Sequence, residues 1–140
     1  VNHSSPYTSH TQQYLTLADI YIQLSQLKPA GASLNYFVEK KFDNLITDLY
    51  FEYRNDFRND FKNYFIEVEI NSSGDLKNKI TKYSELFYNR ALTHSKNNND
   101  VLCIVYKRRL PRIDKNQLTE AFGIDINIFS LEYFSDFWKW

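Results

Sequence analysis

A chain of 140 residues, 43% hydrophobic and 17% aromatic, carries enough apolar side chain for one good core, and its three Gly and three Pro exclude a disordered or collagen-like polymer. Seventeen basic and seventeen acidic residues cancel, which excludes a protein that coats nucleic acid through overall charge; any such binding must come from a local patch. No run approaches the roughly 20 apolar residues of a membrane span, and no basic-then-apolar leader is visible, so a cytoplasmic setting without membrane contact is expected.

Residues 1–14 are rich in Ser, Thr, His and Gln without period and read as a polar arm or linker. His3 and His10 lie here without a partner at metal-ligand spacing. Residues 15–140 read as a single domain. Thr16 and Asp19 stand at capping-box spacing, and Leu17, Ile20, Tyr21, Leu24 and Leu27 form one apolar helix face that Pro29 and Gly31 end. Strands are expected over 34–39 and 45–53, separated by a turn at 42–44. The echo Arg-Asn-Asp-Phe, repeated within 54–62, reads as a hairpin loop, with a short helical turn as the alternative.

A third strand follows over 64–70, in strict alternation. Tyr64, Ile66, Val68 and Ile70 point one way, and Phe65, Glu67 and Glu69 the other. Ser72 and Asp75, again at capping-box spacing, open a helix with Leu76, Ile80, Tyr83, Leu86 and Phe87 as its buried stripe, ending near Leu92. After a loop over 94–100, the continuous apolar run of residues 101–106 is typical of a strand buried on both faces, with Cys103 as a core thiol. Lys107, Arg108, Arg109 and Arg112, with Lys115 beyond, make the only concentrated basic patch. A third helix over 115–122 stops at Gly123, and a last strand alternates Ile124, Ile126 and Ile128. The aromatic tail, residues 133–140, is expected to pack back on the core. The order α-β-β-β-α-β-α-β implies a meander followed by parallel crossovers, giving an α/β (α+β) fold with a mixed central sheet flanked by helices.

Two acidic residues on one face of an apolar strand need a reason. Alternation places Ile46, Asp48 and Tyr50 on one face of the second strand and Thr47 and Leu49 on the other. If strands two and three pair, Asp48 comes beside Glu67. Carboxylates that share an apolar-walled face repel unless a cation lies between them, and Mg²⁺ is typically held by one or two such groups. The alternative is an edge strand whose Glu67 and Glu69 face solvent and discourage aggregation.

The strand order, an Asp on the second strand and Glu67 on the third resemble the PD-(D/E)xK, or restriction-endonuclease-like, superfamily. Within it, residues 16–21, 46–49, 65–69 and 76–83 look similar to the replication-relaxation proteins of plasmids and mobile elements of Gram-positive bacteria. The resemblance covers roughly residues 15–106. It implies a DNA-processing domain, with metal-dependent cleavage or nicking, Mg²⁺ as cofactor and Asp48 and Glu67 as its ligands. DNA and other plasmid replication or transfer proteins are the implied partners, and a homo-oligomer stays open. It also implies that the chain is the C-terminal part of a longer protein with a DNA-binding part before it. Two positions depart from the pattern: Thr47 replaces a Pro, and Glu69 stands where a catalytic Lys is expected. Lys79 on the following helix is the preferred substitute, ahead of Lys82; Glu69 itself is kept in the catalytic set. Lys82, Lys107, Arg108, Arg109 and Arg112 are the candidate DNA contacts. A domain in which no lysine reaches the site would bind without cutting, and an unrelated protein-interaction module is the third reading.

Overall fold

The computed structural model describes residues 9–70, 75–94 and 99–140. A five-stranded sheet in the order β1-β2-β3-β4-β5 forms its middle layer. β1 (Ala32–Phe42), β2 (Leu45–Asn55) and β3 (Asp60–Glu69) form the antiparallel meander, and β4 (Asp100–Tyr106) and β5 (Asp125–Ser130) continue the sheet in parallel. α1 (Ser9–Leu27) precedes the sheet. α2 (Leu76–His94) and α3 (Lys115–Phe122) are the crossovers, and a 3-10 turn (Leu131–Tyr133) leads into the short α4 (Phe134–Phe137). The mixed sheet flanked by helices is as expected.

The sheet separates two cores. Leu17, Ile20 and Leu24 of α1 meet Leu49, Phe51, Tyr53, Tyr64 and Ile66 on one face, where Phe134 and Trp138 of the C-terminal segment also pack. Ile80, Tyr83, Leu86 and Phe87 of α2 cover Tyr50, Phe65, Leu102 and Ile104 on the other, with Leu118 and Phe122 of α3 alongside. β4 is buried on both faces, as its unbroken apolar run requires. The aromatic tail does pack back: Trp140 stacks on Tyr53 at 4.8 Å, and its indole N–H donates to the Leu27 carbonyl at 2.9 Å.

Several local expectations change. α1 begins at Ser9, so residues 9–14 of the expected arm are helical. Thr16 is inside that helix and caps nothing. Its hydroxyl donates to the Gln12 carbonyl one turn back, and Asp19 accepts from Gln23. Asp75 is itself the cap of α2, accepting from the Asn78 N–H at 3.1 Å; Ser72 lies outside the described residues, as do His3 and most of the loop before β4. Residues 54–62 form a hairpin whose strands run further in than expected, leaving only positions 56–59 as turn. Gly123 ends α3 with φ of 68° and an N–H bond to the Thr119 carbonyl, the left-handed cap that glycine adopts without a Cβ clash.

A candidate acid centre where two strands part

Glu39, in the middle of β1, has φ of 53°, a backbone conformation uncommon for a residue with a side chain. The β1–β2 pairing runs through Val38↔Leu49, resumes at Lys40↔Thr47 and omits the step between, where Glu39 faces Asp48. Side-chain phase changes at this point. Leu34 and Tyr36 pack on the α1 side of the sheet, but Phe42 packs on the α2 side. In β2, Leu49 belongs to the α1 side, whereas Leu45 packs on the α2 side and Thr47 bonds α2. Strict alternation across 45–51 is therefore wrong, because an irregular step at Glu39/Asp48 reverses the faces.

The β2–β3 ladder ends one residue away, at Leu49↔Ile66. The next facing pair would be Asp48 and Glu67, and here the strands are joined through a side chain. Asp48 Oδ2 accepts the Val68 N–H at 2.8 Å, and Asp48 Oδ1 accepts from Gln13 Nε2 of α1 at 2.6 Å. Tyr14, next to Gln13, donates to Glu39 Oε1 at 2.7 Å. The first turns of α1, read from sequence as a linker, thus hold both sides of the irregular step.

Glu67 is 5% exposed on a central strand, which removes the edge-strand alternative for this residue. Burial and then the charge of Asp48, close enough to share a hydrogen bond, push its carboxyl up to about 8, while Lys79 and Tyr83 pull the other way. Tyr83 donates to Glu67 Oε1, and the Thr47 hydroxyl donates in turn to Tyr83 across 2.9 Å. Burial, followed by the Glu67 charge, holds the phenol well above its ordinary range.

Lys79 reaches the centre from α2, as its place beside the buried stripe predicts. Its ammonium bonds Glu69 Oε1 and lies 3.7 Å from Glu67 Oε2. Burial acts to lower the Lys79 pKa, but Glu67, Glu69 and Asp48 together outweigh it and the net shift is upward. Asp48, Glu67, Glu69 and Lys79 are therefore brought together. Lys82 is not: it is exposed and lines a cavity with Phe42, Asn44, Leu45 and Leu86 under the β1–β2 hairpin. The basic patch begins beside the centre, since the Lys107 N–H donates to the Glu69 carbonyl at 3.0 Å, with Arg108, Arg109 and Arg112 exposed beyond it.

Gln13, Thr47 and Tyr83 were missed as site residues. Tyr83 read only as a core aromatic, and nothing in the local pattern of Gln13 marks a partner 35 positions away. Among the described residues, no group of three or more His, Cys, Asp or Glu side chains is set to hold a metal. The donors present are hard oxygens from two carboxylates, which suits a cation that keeps most of its waters. Among the described residues, no helix is long and apolar enough to cross a membrane. In comparison with protein-family models, curated proteins and solved structures, the chain matches none.

Proposed function

We propose that this chain is a DNA-processing domain of the restriction-endonuclease-like kind, acting in plasmid or mobile-element replication and relaxation and cutting a phosphodiester with the help of Mg²⁺. The observation that carries the reading is the convergence of Asp48, Glu67, Glu69 and Lys79 where β2 and β3 separate. A buried strand end with surplus negative charge has no packing rationale, and a divalent ion would relieve it.

Asp48 and Glu67 would hold the ion, which when bound lowers the pKa of an attached water and neutralises charge on a phosphate. The protein's part is positioning. Gln13 and the Val68 N–H fix both oxygens of Asp48, and Tyr83, steadied by Thr47, fixes one oxygen of Glu67. Lys79 supplies the positive donor that the third strand lacks, able to orient a nucleophile or bind a non-bridging phosphate oxygen. The exposed arginines after Lys107 would engage the DNA backbone on either side.

The ion pair between Lys79 and Glu69 favours a second reading, a docking module of the same fold that binds DNA or a partner protein without cutting. Supercoiled plasmid incubated with the protein and Mg²⁺ or Mn²⁺ separates the two. Relaxation or linearisation that Asp48→Ala abolishes supports the enzyme. Binding without cleavage at high protein supports the docking module, and no binding of DNA at all removes the enzyme and leaves the module with a protein partner alone.

A further inference from the structure

α1 is apolar on two sides. Leu17, Ile20 and Leu24 are buried against the sheet, but Tyr14, Leu15, Tyr21 and Ile22 are 40%, 50%, 47% and 53% exposed, and Ala18 between them is exposed as well. At about 3.6 residues per turn these five share one continuous arc, roughly a third of the helix circumference, whose only polar members are the uncharged Thr11 and Ser25. One flank of the arc adjoins the edge strand β1, where the Tyr21 ring meets Tyr36 at 4.5 Å and Tyr14 bonds Glu39. Val38, paired with Leu49 of the α1-side core, is 53% exposed and extends the patch onto β1. A helix that packs on a sheet ordinarily shows water a polar face, and an apolar face of this breadth marks a contact.

Charge narrows what covers it. α1 contains no Lys or Arg, and its one acid, Asp19, lies outside the arc and bonds Gln23. A phosphate backbone or an anionic lipid surface would find no cation here. A protein face without charge is the match, and α1 itself presents one. In a two-fold contact each side chain near the axis meets its own image, so a charge there would repel itself, and the arc has none. Basic and acidic residues balance at seventeen each, so no net charge drives two copies apart. Area agrees. Taking roughly 200 Å² for a fully exposed residue of this size, the exposed fractions of Tyr14, Leu15, Tyr21, Ile22 and Val38 amount to roughly 450–500 Å² per copy, or roughly 900–1,000 Å² for two. A standard interface of about 1,600 Å², a little over half of it apolar, needs about 900 Å² of such surface. The β1 edge itself is a poor template for strand pairing, because the left-handed φ of Glu39 and the charges of Lys40 and Lys41 interrupt it.

We propose that this chain forms a two-fold dimer in which the exposed arc of α1, with Val38 at its margin, packs against the same arc of a second copy around Ala18. The small side chain of Ala18 at the middle of the arc lets the two helices come close. The contact does not rest on the acid centre, and it would hold in a protein that cuts nothing.

Sedimentation equilibrium of the 140-residue chain over a range of concentrations, up to roughly 1 mM, is the test. A dimer is expected, and Leu15→Glu with Ile22→Glu should weaken it by on the order of a hundredfold or more, since both changes fall on both copies. Helical content and melting midpoint should stay close to wild type, because neither side chain belongs to the core. Ala18→Cys decides the matter without added charge if the double variant does not fold. Cys103, the chain's only cysteine, is buried, so a short bismaleimide should link two copies through position 18. Leu92→Glu and Leu92→Cys, at an exposed apolar position on α2, are the controls and should neither dissolve the dimer nor link it. A wild type that stays monomeric throughout overturns the proposal and leaves the face to a different protein. So does a dimer that the folded double variant keeps at full strength, one that Leu92→Glu dissolves equally, or one that links as readily through Leu92→Cys as through Ala18→Cys.

Discussion

α2 carries one partly buried cation near each end, and the two are treated very differently. Near its C-terminal end, Arg90 meets Asp100 through Nε at 2.8 Å and Nη2 at 3.2 Å. Asn63 donates to the same carboxylate, and the guanidinium lies over Phe42 and Phe65. One positive charge balances one negative, every oxygen is satisfied, and the pair closes the start of β3 against β4. Near the other end, Lys79 faces Glu67, Glu69 and, at longer range, Asp48. Three carboxylates against one ammonium leave a deficit, and after burial, the larger cause, the charge of Asp48 helps to raise the pKa of Glu67. Both clusters are half-hidden from water on the same helix, so burial does not distinguish them. Charge balance does: the first pairs its charges one to one, and the second carries more acid than base, which is the imbalance that the proposed cation would relieve.

Among the substitutions, breaking the balanced cluster should cost the most stability. Asp100→Ala leaves Arg90 without its partner, and a loss of about 3 kcal/mol is expected in the denaturant midpoint, with metal binding unaffected. A loss below about 1 kcal/mol would mean that the two clusters are not different in kind.

The unbalanced cluster should respond to pH in the absence of divalent ions. Glu67 holds its proton in the folded protein up to about 8 but loses it near 4.5 when unfolded. Between those values the folded state binds more protons, so stability is fully present below about 4.5 and falls as pH rises through 8, by an amount on the order of 5 kcal/mol. Glu67→Gln should flatten this slope, and added Mg²⁺ should reverse it in the wild type. Thermal melts from pH 4 to pH 9 make the comparison, and a wild-type slope that Glu67→Gln leaves intact would locate the titration elsewhere.

Gln13→Ala tests the reach of α1. Loss of one hydrogen bond to a carboxylate should cost about 1.5 kcal/mol, seen as a roughly tenfold lower kcat for cleavage with KM little changed. Lys79→Ala and Lys82→Ala make the finest distinction. The first should remove cleavage, and the second should stay within about 0.5 kcal/mol of wild type in stability and close to it in activity, since Lys82 is solvent-exposed. Equal effects would detach catalysis from the Lys79 contacts.

Much of this arrangement follows from local pattern. The apolar stripe of α2, the unbroken run of β4, the Gly123 stop after α3 and the alternation through Glu67 each depend on residues within one or two turns of each other, and periodicity reports such relations directly. The place of Lys79 beside the stripe was legible for the same reason. The start of α1 was not, because its first two turns carry polar residues whose helical state depends on what they touch: Gln13 on Asp48 and Tyr14 on Glu39. Tertiary structure also decided the phase of β1 and β2. A single positive φ at Glu39 reverses which face the later residues of β1 take, and no repeat in the chain announces it. The sequence by itself determined that an Asp and a Glu lie on successive strands with a lysine-bearing helix to follow. Only the tertiary structure decided that the strands part where those acids meet and that the balance of charge there falls short, because both depend on contacts between residues far apart in the chain.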